Sequence, residues 1–146
     1  MGNPQGITAI FPGSATALFT KVLVSKTTFL GDPVEMLPTL AVWATGAHNS
    51  CITPAVVKEL GLRPFQKALV QTAEGEALLD VYQVCIHLSN DMMIDIPVTE
   101  VPSLGDEYEV LIGMNIIRLG EFAVRNFDGQ MQMTFRMPSA GLADYA

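Results

Sequence analysis

Nothing in this chain carries a helical period for more than about two turns, and that limits the folds open to it. Its apolar residues fall into short alternating or continuous runs cut by Gly, Pro and Asp. This is the pattern of strands joined by turns. Residues 17–25 put Leu18, Thr20, Val22 and Val24 on one face and Phe19, Lys21 and Leu23 on the other. Gly31-Asp32-Pro33 reads as a turn. Leu37–Trp43 is continuous enough to be a central strand. Residues 68–72 and 77–88 flank Ala73-Glu74-Gly75-Glu76, a hairpin signal. Residues 92–98 and 109–112 are further strands. Residues 122–127 and Gln130–Met137 flank Asp128-Gly129, the strongest two-residue hairpin signal. Helix is confined to Pro54–Leu60 and 114–119. The first has Thr53 as N-cap, Pro54 at N1 and Gly61 at C′; Gly120 ends the second. An all-β closed barrel or sandwich with one or two short helices follows.

The 146 residues suit a single domain over 1–146, with 1–14 and 138–146 as terminal segments. Apolar residues make up 49% and charged ones 16%, which excludes intrinsic disorder. Eight basic against 15 acidic residues give a net charge of −7 and argue against nucleic-acid binding. No apolar stretch approaches the ~20 residues of a membrane span, and residues 1–13 lack the basic start of a signal peptide. Two His and two Cys without ligand spacing suggest no metal, and no phosphate-binding loop or nucleophile elbow suggests a cofactor or a serine nucleophile. Cys51 and Cys85 read as buried free thiols, and hence as a cytoplasmic protein. The apolar surplus in a weakly charged chain suggests a buried subunit interface.

Two segments say more. Residues 40–62 read LAVWATGAHNSCITPAVVKELGL, and Val110-Leu111-Ile112-Gly113-Met114-Asn115 opens the second short helix, with the Gly75 hairpin midway. The chain resembles the retropepsins, the retroviral-type aspartic proteases, over 17–137, and bacterial members more than viral ones. Their signature is apolar-apolar-Asp-Thr-Gly-Ala. The resemblance implies a single-lobe acid-protease barrel and a homodimer in which one Asp per subunit activates water to hydrolyse a peptide bond, with no cofactor. It implies that Thr45 hydrogen-bonds across the dimer and that Gly46 allows close backbone approach. Ala47 would offer its amide to substrate, Glu74 and Gly75 would form the flap tip, and Gly113 would pack under the active turn. Leu40, Val42, Val70 and Ile112 would line an apolar cleft. Substrates would be peptides or proteins, the chain's own termini among the candidates.

The catalytic position holds Ala44. Two carboxylates about 3 Å apart share one proton, so one acts as base and the other as acid. A methyl group does neither, and a symmetric dimer loses both copies together. An aspartic endopeptidase inactivated by alanine is one reading. A natural pseudoprotease serving as a peptide-binding or dimerising module is the other. Outside this site, Trp43 reads as core or cleft wall, Asp106-Glu107-Glu109 as a solvated loop, and the methionines of the last strand as interface or core.

Overall fold

The computed structural model describes residues 5–27 and 35–137. The turn expected at 31–33 and the 138–146 segment lie outside them. The strands are β1 (Gln5–Pro12), β2 (Phe19–Lys26), β3 (Leu37–Trp43), β4 (Cys51–Ile52), β5 (Gln66–Thr72), β6 (Gly75–Ser89), β7 (Met92–Glu100), β8 (Val110–Ile112), β9 (Glu121–Phe127) and β10 (Gln130–Met137). The helices are α1 (Pro54–Leu60) and α2 (Met114–Ile117).

Strands β2-β3-β8-β4-β7-β6 form one sheet, and β6 pairs back onto β2 to close it into a barrel. The barrel is mixed, because β3–β8 and β4–β7 run parallel while the other ladders are antiparallel. Closure leaves no free edge around the ring. The expected all-β, single-lobe barrel with two short helices is the observed fold. Val22, Val24, Ala41, Val84, Ile86 and Ile112 fill it, each 2% exposed or less. A second sheet, ordered β1-β10-β9, packs its Met133 and Phe135 into the same core. Those two residues of the methionine-rich strand are therefore core within one protomer.

Local chemistry placed several boundaries where expected. α1 is held by the buried Val56 and Leu60 and stops at Gly61, whose φ of +60° only glycine adopts easily. Asp128 and Gly129 both take positive φ, +49° and +74°, which a type I′ hairpin turn needs. Two expectations were overridden. Thr53 makes no side-chain capping bond; its hydroxyl donates to Glu109 instead. Glu109 therefore leaves the solvated acidic loop, where Asp106 and Glu107 remain exposed. The terminal segment set apart over 1–14, where no strand is expected, contains β1, which pairs with β10 from Gln5↔Met137 to Pro12↔Gln130. Gly6 and Pro12 weaken its local strand signal, so the waiting β10 edge decides it.

On the outer side of the barrel, Ser25 Oγ lies 3.0 Å from His87 Nε2, and both residues are buried. Burial holds the His87 pKa below its ordinary value, and the nearby Asp95 charge opposes this only in part. Burial, followed by the Asp95 charge, pushes the Cys85 thiol up to about 11. The folded His87 therefore binds its proton less readily than the unfolded one, whose pKa is near 6.5. Stability present above pH ~6.5 should fall as the pH drops through that value towards the lower folded pKa. Urea denaturation at pH 7.5 and 5.5 should show the loss, and His87→Gln should reduce it. An unchanged pH dependence in that variant would refute the assignment.

Candidate functional site

The site begins where β3 ends. Trp43 is 5% exposed, donates from Nε1 to Thr20 Oγ1 at 2.9 Å, and stacks on Phe122 with centroids 5.6 Å apart and planes 11° apart. It is a core residue that clamps the strand one position before Ala44. Ala44 N–H donates to the Ile112 carbonyl at 2.9 Å, and Ala47 N–H donates back to the Ala44 carbonyl at 3.3 Å. Residues 44–47 are thus a tight turn fastened to β8. Ala44 and Ala47 are half-buried, whereas Thr45 and Gly46 are exposed.

The second signature segment holds the turn from beneath. Met114 N–H donates to the Ala47 carbonyl at 2.8 Å and Asn115 N–H to the His48 carbonyl at 3.1 Å. The start of α2 therefore spends backbone donors that a helix leaves unpaired on the loop after the turn. Asn115 Oδ1 accepts from the Ser50 N–H (3.0 Å) and the Ser50 hydroxyl (2.7 Å), while Ser50 Oγ accepts from the Gly113 N–H at 3.0 Å. Ser50 is fully buried and satisfied on both sides. A Cβ on Gly113 would lie 2.6 Å from the Asn49 carbonyl oxygen and 2.9 Å from that of Ala47, so only glycine fits. Gly113 does pack under the turn.

Ser50 carries no sequence signal, because a serine before a short strand is commonplace. Asn115 stands in the signature, but its role needed the loop folded against it. Removing the Asn115 amide would strand the buried Ser50 groups, at a cost of about 1–3 kcal/mol. Asn115→Ala should lower the unfolding midpoint accordingly, and Asn115→Asp, which keeps the acceptor, should recover most of it. Equal losses in both variants would show that the acceptor is not what matters.

A groove of about 470 Å³ opens between this loop and the β5–β6 arm. Gly46, Ala47, His48 and Asn49 line one wall and Leu69, Val70, Gln71 and Thr72 the other, with Cys51, Leu79, Thr99 and Val101 completing it. Of the expected lining, Val70 and Ala47 are here. Ile112 is not: it is fully buried, because β8 is a central strand whose Ile112 side chain joins the core. It supports the turn through its carbonyl. Leu40 lines a different groove, beside β1. Glu74 and Gly75 form the end of the arm, beyond the lining; Glu74 is exposed, and Gly75 needs its φ of +113° for the turn. Cys51 departs from the buried-thiol expectation. It is half-buried in the groove, 3.3 Å from Thr99 Oγ1, and burial raises its pKa while that contact lowers it. Cys85 is buried as expected.

Among the described residues no His, Cys, Asp or Glu cluster could hold a metal ion, and no helix is long and apolar enough to cross a membrane. The site offers backbone amides, a small turn and an open groove beside it. It offers no proton donor or acceptor at position 44.

The sequence matches no protein-family model, and no curated protein matches it. Among solved structures the chain is similar to a retropepsin-like aspartic protease from Rickettsia conorii, with a TM-score of 0.55 and 14% identity over 93% of this chain and 97% of that one. It is also similar to the EIAV protease complexed with the inhibitor HBY-793, with a TM-score of 0.53 and 19% identity over 72% of this chain and 88% of that one. The shared feature is the fold, which is that of the retropepsin-like proteases.

Proposed function

We propose that this chain is one half of a retropepsin-type peptide site, built for an aspartic endopeptidase and silenced at its reacting position by Ala44. The turn carries the reading: residues 44–47 keep their backbone support from both signature segments, and only the carboxylate is missing. Peptide hydrolysis in this architecture needs two such turns, one from each of two copies, whose carboxylates share a proton. The ionised member removes a proton from water, and the protonated one hydrogen-bonds the scissile carbonyl. The proton then passes to the leaving amine. Ala44 ends that sequence at its first step, so the chain as it stands is inactive.

Gly46 supports a second body over the turn. Its φ is not positive, and a Cβ there would meet nothing within 4 Å. No contact among the described residues therefore demands glycine, but substrate or partner backbone passing close would. Thr45, exposed beside it, is placed in this reading as the residue that bonds across the dimer. An extended peptide lies between the Ala47 loop and Val70, with its main chain paired and its side chains in apolar recesses. The Glu74-Gly75 end closes over it. The protein is a cytoplasmic homodimer, and its substrates are peptides or proteins.

The pseudoprotease reading rests on the same Ala44 with an intact groove: binding without cleavage. Restoring the acid separates the two. Ala44→Asp should cleave peptides if the site was built for hydrolysis, and should only bind them if it was not. Mass spectrometry of that variant also tests its own termini as substrates, because an active enzyme that leaves its mass unchanged does not process itself.

A further inference from the structure

We propose that a groove of about 580 Å³ between β1 and the start of β2 is a second peptide site, one that takes an extended segment carrying an acidic residue two positions from an apolar one. It shares no lining residue with the groove at the turn. Two strand edges bound it. Among the described residues β1 has one neighbour, β10. Gly13 N–H donates to the Gly129 carbonyl at 2.9 Å, so by alternation Phe11, Ala9 and Ile7 also spend their backbone groups on β10. The N–H and C=O of Gly6, Thr8 and Ile10 therefore point to the open side. Pro12, which has no N–H, falls in the same open series, where a proline costs the ladder nothing. The second edge belongs to β2. Trp43 N–H donates to the Leu18 carbonyl, so the backbone groups of Phe19 and Lys21 face away from β3. β6 meets β2 only from Leu23↔His87 onward. Phe19 and Lys21 thus overhang the closed ring, unpaired on that side among the described residues.

The side chains say what the groove would take. Ile10 is 56% exposed and Phe19 36%, and Leu40 and Leu88 extend the apolar lining. Lys21 is the one charged residue among the described ones that line it. It is exposed and makes no ion pair among them. Phe19 and Lys21 stand two residues apart on one face of β2, with Val42 and Leu40 opposite them on β3. An extended peptide repeats its side chains on one face with the same period. A segment added to the β1 edge can therefore set an apolar side chain against Phe19 and, two residues away, a carboxylate at Lys21. Main-chain bonds to Thr8 and Ile10 supply affinity, and the two-residue pattern supplies specificity. The same lysine argues against a second copy as the occupant. β1 reads QGITAIFP and holds no acidic residue, so pairing it with its own copy would leave Lys21 without a counter-charge.

The test is fluorescence anisotropy with the full chain, and needs no catalysis. The probe is a fluorescein-labelled octapeptide that repeats Leu-Thr-Glu-Thr, compared with one that repeats Leu-Thr-Lys-Thr. The acidic peptide should bind about fivefold more tightly, because the exchange turns an attraction into a repulsion. Lys21→Glu should reverse the preference. Thr8→Pro removes an N–H that β10 does not use, and should raise the dissociation constant of the acidic peptide about fivefold with an unchanged circular dichroism spectrum. Should that variant misfold, the reversal in Lys21→Glu, a change at an exposed side chain, decides alone. Equal binding of the two peptides, or no binding, overturns the inference. So does a preference that Lys21→Glu leaves unmoved; if Gly46→Ala then weakens binding, the peptide lies at the turn instead. Sedimentation in which Thr8→Pro splits a dimer, with neither peptide bound by the parent, would give this edge to a second copy and overturn the inference as well.

Discussion

Ala44→Asp should convert an inert protein into an endopeptidase active at mildly acidic pH and inhibited by a statine-type compound. The expected gain is large because, in the proposed reading, the missing group is the acid–base catalyst and the anchor of the attacking water. General acid–base catalysis alone contributes about 10²–10⁴-fold. The pH preference follows from the pair: with like charges about 3 Å apart, only one carboxylate ionises readily, and activity needs that singly protonated state. The parent, incubated with the same peptide library, should show no turnover. Absence of cleavage by a folded, dimeric Ala44→Asp variant would sink the enzyme reading and leave the binding module.

The second large effect is on the support beneath the turn. Gly113→Ala forces a methyl to within 2.6 Å of one backbone oxygen and 2.9 Å of another. Retreat would break bonds: the Ala47 carbonyl accepts from Met114 N–H, and Ser50, the residue after Asn49, is tied to the Gly113 N–H through its Oγ. Overpacking of this kind costs about 1–3 kcal/mol, and more where backbone rather than side chain must give. Thermal unfolding should drop by at least several degrees. Gly46→Ala is the informative contrast: with open space over it and no positive φ, it should leave the melting temperature nearly unchanged while weakening peptide binding. Equal melting temperatures for Gly113→Ala and the parent would remove Gly113 from the supporting role. An unaffected affinity in Gly46→Ala would remove the close approach assigned to that position.

The contrast between these two glycines shows how much of the site was readable. Both belong to the signatures, and both were given packing roles by resemblance. Only the folded chain distinguishes a glycine required by its own protomer, at 113, from one that its protomer does not require, at 46. Ile112 shows the same limit. Its place in an apolar signature suggested cleft lining, but its side chain belongs to the barrel core and only its carbonyl reaches the turn. Thr53 had every local mark of a helix cap, yet Glu109, 56 residues away, takes its hydroxyl.

What the sequence determined by itself was whatever depends on near neighbours along the chain. The Leu37–Trp43 strand, the Pro54–Leu60 helix with its left-handed Gly61, the Asp128-Gly129 turn and the alternation of the last strand all follow from side-chain period and backbone sterics within a few residues. The absence of a carboxylate at position 44 was also plain on the page. Tertiary structure decided the rest. It made a strand of Gln5–Pro12, because β10 stood ready to pair with it. It opened the groove at Cys51 and set Ser50 against Asn115. The β1–β10 ladder and the Ser50–Asn115 bonds span 65 residues or more and the Cys51–Thr99 contact 48, and their energies exist only once the fold has brought the partners together, so no local pattern records them.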